Sequence, residues 1–197
     1  MELILSMAQL GEEHFFTAII HDNTETKPFE AGLEREAITR KALNRLLEKC
    51  ISSRSNKELL GASLNILTEL DFLGVDNCGA AFIVNDSEQL TLLAERNLSQ
   101  PLHKLCAKVP FGTCLCGKAA RDQKILFTAH VDEQHEIRFE GMQPHGHFNI
   151  PIVIDNETAA VIVLYTVAGA NCSEETLSYL KSVSDTLAMG LQKVDIE

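Results

Sequence analysis

Helical periodicity marks two segments in the first part of the chain. Apolar side chains recur at intervals of three and four residues at Leu43, Leu46, Leu47, Cys50 and Ile51. This spacing predicts one face of an amphipathic helix. A second helix is expected to begin at Ser55, which forms a capping-box pattern with Glu58, and to end near Gly74. Its inward positions would be Leu60, Leu64 and Leu67.

Two β-hairpins are predicted further along the chain. The apolar runs at residues 78–84 and 90–95 flank a turn-forming Asn-Asp-Ser cluster and indicate the first hairpin. In the second, every other residue from Phe148 to Ile154 is apolar, which predicts a strand with one buried face. The continuous apolar run at residues 159–165 is typical of a central strand.

A last helix is predicted to begin near Ser173, where two glutamates suit the positive end of the helix dipole. Its heptad pattern consists of Leu177, Leu180, Ser184, Leu187, Leu191 and Val194. Such a seam can join a second copy of the chain, or it can pack on the chain's own first helix or sheet. Both interpretations stay open, and we expect a homodimer through helices near the chain ends.

The first 32 residues are expected to form a separate appendage. Apolar positions in residues 1–21 lie loosely on one side of a short helix, and residues 21–32 are polar with one proline and one glycine. We therefore predict a helical appendage and linker over residues 1–32 and a main domain over residues 33–197, and we expect residues 1–30 to be dispensable for folding. Antiparallel strand pairs between helices place that domain in the α+β class.

Composition and charge exclude several classes of function. The chain has 28 acidic and 17 basic residues, a net charge of −11, which argues against a large nucleic-acid surface and against attraction to anionic membranes. The longest apolar stretch has 12 residues, whereas a membrane span needs about 20. The N-terminus lacks the basic region of a signal peptide. We expect a cytoplasmic protein whose six cysteines are thiols, metal ligands or redox groups.

The candidate chemistry lies between residues 109 and 152. Cys114 and Cys116 are two residues apart, as are His145 and His147. Side chains at this spacing can converge on one point when the backbone is extended, and thiolate with imidazole suits zinc, mononuclear iron or an iron–sulfur cluster. We hypothesise that these four residues form one metal site. The alternative is a metal-free pocket of polar side chains that binds a small molecule.

The two cysteines are predicted to lie at the start of a helix. Gly112 and Gly117 bracket them, and Lys-Ala-Ala follows. A helix dipole lowers the pKa of a thiol at this position and so favours the thiolate. His130 and His135 lie between the two pairs in sequence and complete the set of candidate ligand-binding residues.

Three motifs of this chain resemble a GAF domain. They are VPFGTCLCGKAA from Val109, GMQPHGHFNIPI from Gly141 and AVIVLY from Ala160. The resemblance spans roughly residues 34–192 and is greatest to GAF domains of bacterial sensor kinases and related signalling proteins that carry CLCG and PHGH. It implies a six-stranded antiparallel sheet with helices on one face, flanking N- and C-terminal helices and a pocket under the irregular middle region.

The resemblance implies two classes of function. The first is a regulatory module that binds a small ligand or metal cofactor and relays occupancy through dimerising helices to a signalling protein. The second is an enzyme, because stand-alone GAF proteins include the free methionine-(R)-sulfoxide reductases, which use cysteines in this pocket. Here no cysteine lies between Cys116 and Cys172, although Cys114 or Cys116 could still act as nucleophile with a histidine as base. Mononuclear iron chemistry at the same residues is a further alternative.

Overall fold

The computed structural model describes residues 2–10, 13–21, 26–85, 88–133 and 135–196. Its elements follow in the order β1 (Glu2–Leu10), β2 (Glu13–His21), α1 (Thr26–Ser52), α2 (Asn56–Thr68), a 3₁₀ turn (Asp71–Leu73), β3 (Val75–Asn85), β4 (Gln89–Arg96), α3 (Gln100–Leu105), β5 (Lys108–Pro110), α4 (Cys114–Asp122), β6 (Leu126–Thr128), β7 (His145–Ile154), β8 (Glu157–Val167) and α5 (Glu174–Ile196). Among these residues, no helix combines the length and the apolar character that a membrane crossing requires. The chain divides into two compact units, Met1–Thr39 and Arg40–Glu197.

The first unit contains a β-hairpin and the beginning of α1. Strands β1 and β2 pair antiparallel along their whole length, from Glu2 opposite His21 to Leu10 opposite Glu13. The helix predicted for residues 1–21 is therefore wrong. Aromatic and β-branched residues crowd β2 and favour a strand. The predicted linker is helical from Thr26 onward, residues 22–25 lie outside the described residues, and the domain boundary at residue 32 stays a prediction.

The second unit is built on a six-stranded sheet with the order β5-β4-β3-β8-β7-β6. Every neighbouring pair is antiparallel. The two predicted hairpins are β3–β4 and β7–β8, and the apolar run in β8 is central in the sheet. The predicted α+β class and the six-stranded antiparallel sheet are confirmed.

Helices α2 and α5 and the end of α1 cover one face of this sheet. Ser55 caps α2 as predicted, because its hydroxyl accepts the Glu58 N–H at 3.2 Å. The Glu58 carboxylate accepts the Arg54 N–H instead of closing the box on Ser55. Helix α2 ends at Thr68, six residues before Gly74, and the 3₁₀ turn covers part of that interval. Its predicted core positions, Leu60, Leu64 and Leu67, are fully buried.

The predicted heptad seam of α5 packs mainly on its own domain. Leu180, Ser184, Leu187 and Leu191 are all buried, and the Ser184 hydroxyl donates to the Pro151 carbonyl at 2.6 Å. Leu177 keeps 37% of its surface exposed. The intramolecular interpretation therefore holds for the middle of the seam.

The predicted apolar face of α1 is narrower than expected, since Leu46 and Cys50 are buried while Leu47 and Ile51 are exposed.

The opposite face of the sheet is buried as well, which corrects the prediction for β7. Phe148, Ile150 and Ile152 face the helices, but Asn149 and Pro151 are also buried. Helix α4 packs against β7 and β8 on this second face, where a separate apolar cluster includes residues of α3, α4, β3 and β8. Because helices cover both faces of the sheet, β7 has no face exposed to solvent. The candidate site lies on this second face.

Candidate functional site

The two cysteines of CLCG occupy the first turn of α4, as predicted. Gly117 makes their position possible, because a Cβ there would lie 2.4 Å from the Pro110 carbonyl oxygen. Cys114 has a left-handed backbone with φ of 53°, a conformation that costs a residue with a side chain about 1–2 kcal/mol. Strain of this kind is concentrated at functional sites, but six other described non-glycine residues also have a positive φ, so it supports Cys114 only together with the chemistry of the thiol.

The two thiols have opposite electrostatics. A hydrogen bond from the Cys116 thiol, aided by the Ile137 and Leu115 N–H groups, outweighs burial and lowers the pKa of Cys114 to about 5. The pKa of Cys116 is raised because this hydrogen bond, burial and the neighbouring thiolate all favour its protonated form. The predicted lowering therefore applies to Cys114 alone. The pair holds one negative charge, on Cys114.

The segment that carries His135 is fastened to α4. Lys118 of α4 forms a 2.9 Å ion pair with Glu136, and the Ile137 N–H bonds to the Cys114 sulfur. Arg138 holds the segment internally, since its guanidinium donates to the carbonyl oxygens of His135, at 2.9 Å, and of Asp132. These contacts hold the backbone from His135 to Ile137 against α4.

His145 and His147 lie on β7, and Gly146 separates them. A Cβ on Gly146 would lie 2.4 Å from the Thr128 carbonyl oxygen, so glycine lets β6 approach β7 at this point. His135 completes a triad with both histidines: the ring centroids are 5.0–5.4 Å apart. One nitrogen from each ring lies within 4.8 Å of the other two.

Each imidazole of this triad has one buried nitrogen without a hydrogen-bond partner among the described residues. These atoms are Nδ1 of His135 and Nε2 of both His145 and His147. Burial lowers the pKa of His147 to about 3 and also lowers the pKa of His135. Neutral imidazoles with an unused buried nitrogen are the donors that zinc and iron prefer. The triad could therefore hold a metal ion.

A cavity of about 20 Å³ lies between the thiols and the histidines. Its polar lining comes from Cys106, Cys114, Cys116, His135, His147, Asn149 and Tyr165. This volume has room for about one water molecule or ion, so an organic ligand would need the covering segment to move.

The six predicted site residues do not form one group. His135, His145 and His147 come together, and Cys114 and Cys116 line the adjoining cavity, but within the described residues neither cysteine belongs to the triad's close group. His130 is exposed on a separate open groove of about 410 Å³ beside Arg138 and Phe139. The hypothesis of a four-ligand site of two cysteines and two histidines stays a prediction.

Sequence reasoning missed three polar residues of the cavity: Cys106, Asn149 and Tyr165. Tyr165 stacks at 5.5 Å on His147 from the neighbouring strand. Asn149 lies two residues after His147, so strand alternation could have placed it on the same side. No local pattern identifies Cys106, because α3 and α4 bring it to the cavity only after folding.

A model of the GAF domain family matches residues 53–192, well over half of the chain. This chain belongs to the GAF family. No curated protein sequence matches it. The solved structures similar to this GAF domain include the GAF domain of a phosphoenolpyruvate-protein phosphotransferase from Coxiella burnetii, with a TM-score of 0.68, 18% identity, and coverage of 80% of this chain and 95% of that one.

Another similar structure is an enzyme. The free methionine-R-sulfoxide reductase of Neisseria meningitidis, solved with its substrate, has a TM-score of 0.69 and 18% identity, with coverage of 82% of this chain and 93% of that one. At this identity the likeness shows the fold alone. The GAF fold is a sensory and ligand-binding fold whose neighbours include regulatory domains and a reductase, so it does not specify the ligand.

Proposed function

We propose that this chain is a regulatory GAF domain of the CLCG and PHGH type, which binds a transition-metal ion on His135, His145 and His147. Two observations carry the proposal: one nitrogen of each imidazole lies within 4.8 Å of the other two, and each ring has one buried nitrogen without a partner among the described residues. An unpaired buried polar atom costs roughly 1–3 kcal/mol, and a bound cation would remove three such costs together. The chain's own residues bind and orient the ion, which would supply Lewis-acid or redox character.

Zinc and iron are the candidate ions, and Cys114 is the candidate for a fourth ligand. Its pKa of about 5 keeps the thiolate at neutral pH, and it lies on the same cavity as two of the histidines. A three-imidazole set with one thiolate suits tetrahedral zinc or iron. Cys116, with its raised pKa, would act as the hydrogen-bond donor to Cys114 instead of as a ligand.

Binding would be reported through the segment that carries His135. Two of the imidazoles lie on a strand of the central sheet, whereas His135 lies on the segment fastened to α4. A bound ion would hold all three nitrogens at about 2.0–2.1 Å from itself, and His135 is the one donor of the triad that is not on β7, so binding would fix the position of its segment relative to β7. The signal depends on this difference between the two arrangements, because equal affinity for both would shift nothing.

The test is metal analysis of protein purified without oxygen, followed by titration with Zn²⁺ and Fe²⁺. We expect one equivalent in the wild type and loss of binding in His135→Ala and in His147→Ala. His130→Ala is the matched control, since that histidine lies on the separate groove and its variant should bind normally. A wild type without metal after loading, or triad variants that keep wild-type content, would refute the proposal and favour a small molecule as ligand.

We also propose that the domain forms a homodimer through its terminal helices and passes its signal to a protein partner. The apolar side chains that are exposed on these helices include Leu47 and Ile51 on α1 and Met189 on α5. The Lys193 ammonium donates to the Ile51 carbonyl at 2.8 Å and holds the two helices side by side. Light scattering should give a dimer at micromolar concentration and a monomer for Met189→Glu. A wild-type monomer at all concentrations would contradict this. Leu187→Glu is unsuitable because Leu187 is fully buried.

A thiol-dependent reductase is the second candidate, because Cys114 combines a low pKa with a backbone strained into place. Reduction of a sulfoxide by two thiols gives a sulfide, a disulfide and water. We would test free methionine-R-sulfoxide with a dithiol reductant and compare Cys114→Ser with the wild type. Turnover that requires Cys114 would favour the enzyme, and its absence would leave the regulatory function.

A further inference from the structure

Asn149 is a fully buried amide on a central strand, between two apolar residues that face the other side of the sheet. Its amide nitrogen lies 3.3 Å from Nδ1 of His147 and 3.5 Å from the Leu126 carbonyl oxygen. Its side-chain oxygen has no partner among the described residues. A buried amide that is only half satisfied calls for an explanation.

In the neighbouring His145, a backbone carbonyl determines which ring nitrogen carries the proton. Its Nδ1 lies 2.7 Å from the carbonyl oxygen of Gln143. A carbonyl oxygen only accepts hydrogen bonds, so Nδ1 of His145 carries the proton. In the neutral ring, Nε2, which is buried and has no partner among the described residues, then presents a lone pair. The backbone has selected the tautomer that can ligate through Nε2.

His147 must also present an unprotonated Nε2 in order to ligate, but the partner of its Nδ1 is a side chain, that of Asn149. The neutral ring, which is the form that ligates a metal, carries one proton on either Nδ1 or Nε2. If the amide nitrogen of Asn149 donates to Nδ1, the proton resides on Nε2, where it has no acceptor and blocks ligation. If the amide turns over, its oxygen accepts Nδ1–H, and Nε2 presents its lone pair.

The second arrangement is the one that permits ligation. It gives the Asn149 oxygen a partner and leaves Nε2 of His147 unprotonated, at the expense of both contacts of the amide nitrogen, the 3.3 Å contact to His147 and the long 3.5 Å contact to Leu126. We propose that Asn149 is a positioning residue that accepts Nδ1–H of His147 and thereby holds this imidazole in the tautomer that ligates through Nε2. The consequence for metal binding rests on the proposed function, whereas the tautomer is a property of the metal-free protein.

The first experiment measures the tautomer directly. Long-range proton–nitrogen NMR of chelator-treated protein, with His147→Gln used to assign the ring, should find the proton on Nδ1 of His147. Asn149→Asp should keep it there, because a carboxylate only accepts. In Asn149→Leu, His147 should be a mixture of the two tautomers or carry its proton on Nε2. A wild type with Nε2–H, or an Asn149→Leu variant that keeps Nδ1–H, would overturn the proposal.

The second experiment measures Zn²⁺ affinity in the same proteins. Removing a partner that fixes a ligating histidine weakens metal binding about 10–100-fold. We expect a loss of this size for Asn149→Leu. Asn149→Asp should bind Zn²⁺ at least as tightly as the wild type. Thr158→Val is the matched control, since it also removes a buried hydrogen bond, 2.7 Å to the Ala120 carbonyl, but away from the triad. It should change neither tautomer nor affinity. Equal affinity in Asn149→Leu and the wild type would overturn the positioning role.

The two arms separate this proposal from the proposed function. A wild type that has the Nδ1–H tautomer but takes up no metal would refute metal binding and still support the control of His147 by Asn149. A wild type that binds metal but carries the proton on Nε2 in the metal-free state would refute the role of Asn149 alone.

Discussion

Replacing Cys116 with alanine should raise the pKa of Cys114, because the Cys116 thiol supplies the hydrogen bond that lowers it most. A hydrogen bond to a charged group is worth roughly 1.5–3 kcal/mol, which corresponds to about one to two pKa units. From its value of about 5 in the wild type, Cys114 would then titrate closer to neutral pH. The Ile137 and Leu115 N–H groups would still bond to the sulfur, so the pKa of Cys114 would stay below its ordinary value.

The same ionisation links stability to pH. The folded pKa of Cys114 is about 5, well below the ordinary value of 9.0, so the unfolded chain binds more protons between these two values. Stability therefore rises with pH across this window and is lost as pH falls through 5. The gain approaches 1.4 kcal/mol per pH unit and amounts to roughly 3 kcal/mol at pH 7 relative to strongly acid solution. Cys114→Ser cannot ionise and should lack this increment.

The assay is the ultraviolet absorbance of the thiolate in metal-free protein as a function of pH. Cys78 and Cys106 have pKa values raised to about 11 by burial and nearby negative charge, so Cys114 should account for the acid-side transition. Cys106→Ala is the matched control from the same cavity and should leave the midpoint of Cys114 low. An ordinary thiol midpoint in the wild type, or an unchanged midpoint in Cys116→Ala, would refute the reasoning.

Three further predictions concern the frame of the site. Gly146→Ala should lower the free energy of unfolding in denaturant by roughly 2–3 kcal/mol, because its Cβ would meet the Thr128 carbonyl. Gly32→Ala is the control: its Cβ would meet nothing within 4 Å, and it should raise the free energy of unfolding by up to about 1 kcal/mol. Equal effects of the two substitutions would contradict this. Glu136→Gln should speed hydrogen exchange at Ile137, because the ion pair with Lys118 is lost; unchanged exchange would mean that this contact does not hold the segment. A chain that begins at Gly32 should keep the thermal unfolding temperature of the main unit, and a large decrease would show that the appendage supports the core.

Most of the main unit could be predicted from the sequence because its elements are encoded locally. The Ser55 cap and the apolar run of β8 depend on neighbours in sequence. The N-terminal hairpin was missed because loose apolar spacing fits a helix face and a two-sided strand about equally well. Aromatic and β-branched residues in β2 were the better signal.

For the site, the sequence by itself determined the residue types and their local spacing: two thiols at a helix start, and two imidazoles either side of a glycine on a strand. The tertiary structure decided which of them meet. His135 joins His145 and His147 because Arg138 and Lys118 hold its segment in place, while His130 points to another groove. The pKa difference between Cys114 and Cys116, and the burial of Asn149, arise only when α4 covers the sheet. Desolvation and hydrogen bonding depend on neighbours distant in sequence, so no local pattern could specify them.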